Sequence, residues 1–227
     1  MNNYKVAVFD FDGTLCSSVA TIEIAVKKTF EHFKQQPPSN EAVDLVLSNG
    51  VNMVDSLKML NPSLMSADPK ILDAWLDQYN KIAEHETCPM YAGASKVIKS
   101  LHESGIEIII VSNNTTDNII HILKKNRLMK FVTTIFGSDS NASLKPNPNI
   151  FLQNIYPEYS YPISEFIMIG DTSTDIQFAQ NSGINCCWAQ YGYGNAENCL
   201  ALHPTYTITN ILEAVPIIIG SKSHLSS

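Results

Sequence analysis

Arginine is almost absent from this sequence: Arg127 is the single one in 227 residues. An anionic ligand therefore has to be held by lysine, backbone NH groups, hydroxyls or a metal rather than by guanidinium forks. Charge is scarce in general. Asp, Glu, Lys and Arg make up 16% of the chain, against about 25% in an average domain, so Asn, Ser and Thr carry more of the surface. The balance is acidic, with 15 basic and 22 acidic residues and a net charge of -7. That excludes the basic face of a general nucleic-acid binder. Long apolar runs are missing too. The longest, at residues 108–111 and 214–219, fall far short of the ~20 residues of a membrane span. The first residues hold neither the long apolar stretch nor the cleavage site of a signal peptide, so the expectation is a cytoplasmic chain. The five cysteines, at positions 16, 88, 186, 187 and 199, show no metal spacing. They are expected to be free thiols in a reducing compartment.

What is present is an ordinary globular composition, 44% hydrophobic, at a length that suits one large domain or one domain with an insertion. Residues 4–9 form a short β-rich run that stops at Asp10, the pattern of a buried strand followed by a loop. No second strand follows at βαβ spacing. Residues 17 to about 86 carry helical periodicity instead. Ser17 or Ser18 opens the first helix, Pro37-Pro38 closes it, and Ser39, Ser48-Asn49-Gly50, Asn61-Pro62 and Asp68-Pro69 punctuate three more. Four short amphipathic helices make a small bundle.

From residue 88 on, strand and helix alternate. Strands are expected at 106–111, 131–136, 166–169 and 184–188, and helices at 94–104, 115–126, 147–154, 173–183 and 211–218. Near-continuous apolar strands alternating with helices predict an α/β fold with a Rossmann-like parallel sheet. The division expected is an α/β core of residues 1–15 and 89–227 with an inserted four-helix cap domain of residues 16–88. The Ser-rich end, 220–227, reads as frayed.

Ligands of open parallel sheets gather at the carboxyl ends of the strands. The residues just past those ends are Asp10 to Leu15, Ser112-Asn113-Asn114, and Gly170 to Asp175, with Lys145-Pro146 between the last two. Asp10 and Asp171 offer hard oxygen ligands to Mg²⁺, which lets carboxylates approach a phosphate dianion. Asp10 can attack phosphorus. Asp12, two residues on, can protonate a leaving group and then deprotonate water. Ser112 and the NH groups around Asn113 can hold phosphoryl oxygens, and Lys145 adds positive charge for the transition state.

Asp10-Phe11-Asp12-Gly13-Thr14-Leu15 resembles the first motif of the haloacid dehalogenase superfamily. Val111-Ser112-Asn113 resembles the second, the segment from Lys145-Pro146 to Phe151 the third, and Gly170-Asp171-Thr172-Ser173-Thr174-Asp175 the fourth. The third is in the extended form of phosphoglycolate-phosphatase-like and β-phosphoglucomutase-like members. The resemblance spans almost the whole chain and implies a role for each position. Asp10 is the nucleophile and a metal ligand, and Asp12 is the acid/base and a ligand through its backbone carbonyl. Ser112 and Lys145 hold the phosphoryl group, Asp171 is a further ligand, and Asp175 orients the site or binds the metal, directly or through water. The insert matches the helical cap of this subfamily. Its second loop, with Asn49, Gly50 and Asn52, is the place expected to bind substrate. Tyr191-Gly192-Tyr193-Gly194 resembles a flexible loop that can touch substrate, and Lys58 is the nearest cation of the insert.

The function implied is a Mg²⁺-dependent phosphatase that hydrolyses a small phosphorylated metabolite through an aspartyl-phosphate. No nucleic acid or membrane partner is expected, and the chain is expected to be a monomer or homodimer. A phosphomutase would hold a second phosphate, usually by an arginine of the insert, and there is none here. A non-catalytic metal-binding interaction protein would be expected to have lost Asp10, Asp12 or Asp171. Both alternatives stay open on the sequence.

Overall fold

The computed structural model describes residues 3–86, 88–140 and 144–220, so the Ser-rich tail past Gly220 lies outside the described residues. Six parallel strands form one sheet: β1 (Val6–Phe9), β2 (Glu107–Val111), β3 (Thr134–Phe136), β4 (Phe166–Gly170), β5 (Asn185–Ala189) and β6 (Tyr206–Ile208), in the order β3-β2-β1-β4-β5-β6. β1 is central, with Phe9 level with Ile110 on one side and Ile169 on the other.

Both faces of the sheet are covered, and the alternation of strand side chains shows it. Ala7, Phe9, Ile108, Ile110, Ile167 and Ile169 join one apolar cluster. It is covered by α5 (Ala94–Glu103), α6 (Thr116–Lys125) and α9 (Ala214–Ile219). Val6, Val8, Ile109, Val111, Phe166 and Met168 join the other cluster. That face takes α7 (Ser173–Ser182), α8 (Ala196–Ala201) and the segment Ile150–Ile155. Phe9 is fully buried, so Phe9→Ala would cost about 3–5 kcal/mol.

Between β1 and β2 stand α1 (Val19–His32), α2 (Asn40–Leu47), α3 (Met53–Leu60) and α4 (Pro69–His85), with a 3₁₀ turn at Pro62–Ser66. They pack round an apolar cluster of their own that includes Ile22, Phe30, Val43, Leu57, Trp75 and Tyr79. Phe30 meets Trp75 edge-on at 4.9 Å, and Phe33 stacks on it at 4.6 Å. Ser39, Asn52 and Asp68 cap α2, α3 and α4 through their side chains. Ser18 precedes α1 but makes no side-chain cap. Its backbone NH and its hydroxyl meet the Tyr193 hydroxyl at 2.6 and 2.9 Å.

The two passages between sheet and insert run side by side. Ser17 N donates to Pro89 O at 2.8 Å and Tyr91 N to Leu15 O at 2.9 Å. The cysteine expectation is corrected here: Cys16 and Cys88 form a disulfide across the two passages, with Cα atoms 6.4 Å apart. Cys186, Cys187 and Cys199 are free and buried.

Other departures are local. The strand expected at 131–136 shrinks to Thr134–Phe136, because residues 129–131 form a 3₁₀ turn. The helix expected at 147–154 becomes one wide π-type turn at Ile150–Ile155, preceded by Pro146 and Pro148, which lack NH donors. The last helix divides into a 3₁₀ turn at Ile211–Glu213 and α9. β6 and α8 went unanticipated: three and six residues with exposed positions carry too little periodicity to register.

Candidate active site

β1 and β4 end beside each other, and this delivers the two acidic loops to one place. Asp10 follows β1 directly and Asp171 follows β4. Asp175 sits on the first turn of α7. Carboxylate oxygens of Asp10, Asp171 and Asp175 all lie within 4.8 Å of one another, and all three residues are buried. Lys145, also buried, donates to Asp10 Oδ1 and to Asp175 Oδ1, both at 2.6 Å.

Each acid is held from outside the cluster. Thr172 N and Oγ1 donate to Asp175 Oδ2 at 3.0 and 2.8 Å, so Asp175 both steadies the start of α7 and fixes the lysine. Thr14 Oγ1 donates to Asp171 Oδ1 at 3.1 Å, and Tyr193 N to Asp171 Oδ2 at 2.7 Å. Asn114 Nδ2 donates to Asp12 Oδ2 at 2.7 Å. Glycine is required where backbone presses on Asp171. A Cβ at Gly13, where φ is +85°, would lie 2.2 Å from Asp171 Oδ2, and one at Gly192 would lie 2.3 Å from Asp171 Cβ.

The electrostatics show an acidic excess. Burial pushes the Asp10 carboxyl up to about 7, although Lys145 pulls it down; Asp175 and Asp12 push it further up. Asp171 is held well above the usual carboxylate range, first by burial and then by the charges of Asp10 and Asp175. Burial also raises Asp12, against hydrogen bonds from Ser18 and Asn114. Burial would lower the Lys145 ammonium, but its two carboxylate partners reverse that and raise it. One lysine thus faces three clustered carboxylates. A hard divalent cation suits this oxygen donor set and would relieve the repulsion; Asp10, Asp171 and Asp175 are the residues placed to hold it.

The structure brings the other expected residues to the same place in different ways. Ser112 lines the cavity above the carboxylates, and its Oγ accepts from Asn114 N at 3.2 Å. Asn113 also lines it, but its amide ties protein to protein. Nδ2 donates to Gly50 O at 2.8 Å, and Oδ1 accepts from Lys145 N at 3.2 Å. Gly50 and Asn52 of the insert line the cavity, whereas Asn49 does not. The Asn49 side chain donates to Leu45 O, and its carbonyl accepts from Thr174 Oγ1 at 2.8 Å. Asn52 Oδ1 accepts from Asp55 N, and Nδ2 donates to Asp55 Oδ2. The loop therefore meets the sheet through its backbone, and the amides of Asn49 and Asn52 are used inside the insert. Lys58 does not line the cavity.

Sequence reasoning missed Thr14, Asn114, Trp188 and the inward role of residues 191–194. Trp188 Nε1 donates to Asp171 O at 2.8 Å, and Tyr191 OH to Thr14 O at 2.8 Å. Only Tyr193 of that loop lines the cavity. The loop's position just past the end of β5 was the available signal.

A buried acidic cluster at the carboxyl edge of a parallel sheet, facing a helical insert that leaves right after the first acid, defines a class of α/β hydrolases. Residues 7–189 match the model of the haloacid dehalogenase-like hydrolase family, and the chain belongs to that family. It is 26% identical over 215 residues to a phosphoglycolate phosphatase of Pseudomonas fluorescens, covering 93% of this chain and 79% of that one. It is likewise 26% identical to a phosphoglycolate phosphatase of Vibrio parahaemolyticus, covering 94% of this chain and 96% of the relative. In fold it is similar to the crystal structure of a predicted phosphoglycolate phosphatase from Haemophilus somnus, with a TM-score of 0.85 at 18% identity over 96% of this chain and 99% of that one. Among the described residues no helix is long and apolar enough to cross a membrane.

Proposed function

We propose that this hydrolase is a Mg²⁺-dependent phosphatase of a small phosphorylated metabolite, working through an aspartyl-phosphate on Asp10. The observation that carries the reading is the buried cluster of Asp10, Asp171 and Asp175 bridged by Lys145. The relatives' names agree with it.

Asp10, Asp171 and Asp175 would hold the ion, with the Asp12 carbonyl as the resemblance implies. When bound, Mg²⁺ would neutralise charge on the phosphoryl oxygens and let the carboxylates approach them. The chain's own residues do the rest. Asp10 attacks phosphorus as its ester P–O bond breaks. The Asp12 carboxyl, whose pKa burial raises, gives its proton to the departing oxygen. Asp12, now a carboxylate oriented by Asn114, takes a proton from water. The hydroxide attacks phosphorus and the bond to Asp10 breaks, releasing phosphate and restoring both acids. Ser112 and the Lys145 ammonium stabilise the oxygens in each transition state. The helical insert acts as a cap that holds the alcohol part of the substrate over Asp10 and, after its release, admits the water that Asp12 activates.

Two measurements test this. Phosphate release from p-nitrophenyl phosphate should stop in EDTA and return with Mg²⁺ or Mn²⁺. Asp10→Asn should lower kcat by about 10⁴-fold or more and abolish acid-stable labelling by a ³²P substrate, with the fold intact by circular dichroism. Full activity in metal-free buffer, or normal turnover by Asp10→Asn, would overturn the proposal.

A further inference from the structure

The cavity over the carboxylates encloses about 490 Å³, within the usual range for sites that enclose drug-sized ligands. A phosphoryl group on Asp10 leaves most of it to the alcohol part of the substrate. The insert supplies apolar Ile22, Val54 and Leu76 to that wall, with Tyr79 and the neutral polar side chains of Thr21 and Asn80 beside them. Among the described residues no lysine or arginine of the insert lines it; its charged contributions are Glu84 and Glu86, both acidic. Lys28 is taken up by Glu86 at 2.7 Å.

Tyr79 differs from its neighbours. It belongs to the apolar cluster of the insert and is 8% exposed. No hydrogen bond to its hydroxyl is found among the described residues, and the hydroxyl is not among the fully enclosed polar atoms without a partner. It therefore opens onto the cavity. Burial raises the phenol's pKa, and the charge of Asp12 raises it further. A hydroxyl that opens onto the cavity without a protein partner is available to pair with a ligand there.

We infer that Tyr79 is a specificity-determining residue that hydrogen-bonds the alcohol part of the substrate, and that the substrate is the monophosphate of a neutral alcohol larger than glycolate. The inference rests on the phosphatase reading. A carboxylate lying against the insert would meet apolar and neutral polar side chains and two glutamates, Glu86 already paired with Lys28, and among the described residues the lysines that line the cavity are Lys145 and, on α6, Lys125. A neutral body lies against Ile22, Val54 and Leu76 without leaving a charge unpaired. Its polar group completes the Tyr79 hydroxyl.

The test is kcat/KM with Mg²⁺ for glucose 6-phosphate, phenyl phosphate and 2-phosphoglycolate, for the wild type and for Tyr79→Phe. The wild type should favour both neutral esters over 2-phosphoglycolate by at least about tenfold. In Tyr79→Phe the ratio of glucose 6-phosphate to phenyl phosphate should fall by about 3–10-fold, the span of one neutral hydrogen bond, with an unchanged melting midpoint. A tenfold preference for 2-phosphoglycolate, or an unchanged ratio in Tyr79→Phe, would overturn this inference and leave the phosphatase reading standing. No turnover of any of the three esters, nor of p-nitrophenyl phosphate, would overturn both.

Discussion

The carboxyl edge of the sheet and the wall of the helical insert face each other across one cavity, and they are built in opposite ways. At the sheet edge each of the four aspartates already has protein partners: Lys145 for Asp10 and Asp175, Asn114 for Asp12, Thr14 and Tyr193 for Asp171. Asp171 and Asp175 cannot turn without breaking more than one of these bonds. The insert's wall mixes apolar side chains with a few polar and acidic ones, and Tyr79 offers a hydroxyl with no protein partner among the described residues. The chemistry is thus fixed by a saturated polar network that any phosphate ester would meet alike. Discrimination is left to a surface that can change side chain by side chain without disturbing the acids.

That division can be broken from either side. Asp12→Asn should produce the largest effect short of the nucleophile, a loss of about 10²–10⁴-fold in kcat for alkyl phosphates and less for aryl phosphates, whose phenolate needs the proton less. A loss that did not follow the basicity of the leaving group would mean that the sheet edge takes part in selection. Thr14→Val removes a support of Asp171 without touching the substrate cavity. Mg²⁺ affinity, read from the activation curve and by calorimetry, should weaken by about 10–100-fold, without a change in substrate ranking. Asn52→Ala should be smallest. It removes the cap of α3 and should cost about 1 kcal/mol of stability in urea unfolding, while the order of preference among esters holds. If the order changes instead, the Asn52 amide reads the substrate directly.

The sheet edge was the legible part. Asp10, Ser112 and Asp171 each directly follow a strongly apolar run, and that position is visible in one dimension. Their supports were not. Thr14 reads as a turn residue and Trp188 as a strand residue, and only the approach of β5 and its loop to Asp171 shows what they hold. The insert was legible as helices, since 3–4 spacing marked the buried faces of α1 and α4. The ring of Tyr79 lies in the core of the helical insert, and helical periodicity cannot tell where the far end of such a long side chain emerges. Asn49 and Asn52 show what spacing leaves open: the loop is polar and Asn52 lines the cavity, while the side-chain amides of both already make local hydrogen bonds inside the insert. The pairing of Cys16 with Cys88, 72 residues apart, depends on the return path of the chain, which spacing does not encode.

That cystine also alters what a break in the chain would mean. It closes the insert into a covalent loop, so cleavage in the exposed connection around Pro62–Ser66 would leave both fragments in one molecule. The nicked protein should run as a single band under non-reducing conditions and as two after reduction. As long as the bond is intact, β1 with α1 to α3 and the rest of the chain remain one covalent unit even when the backbone inside the insert is cut.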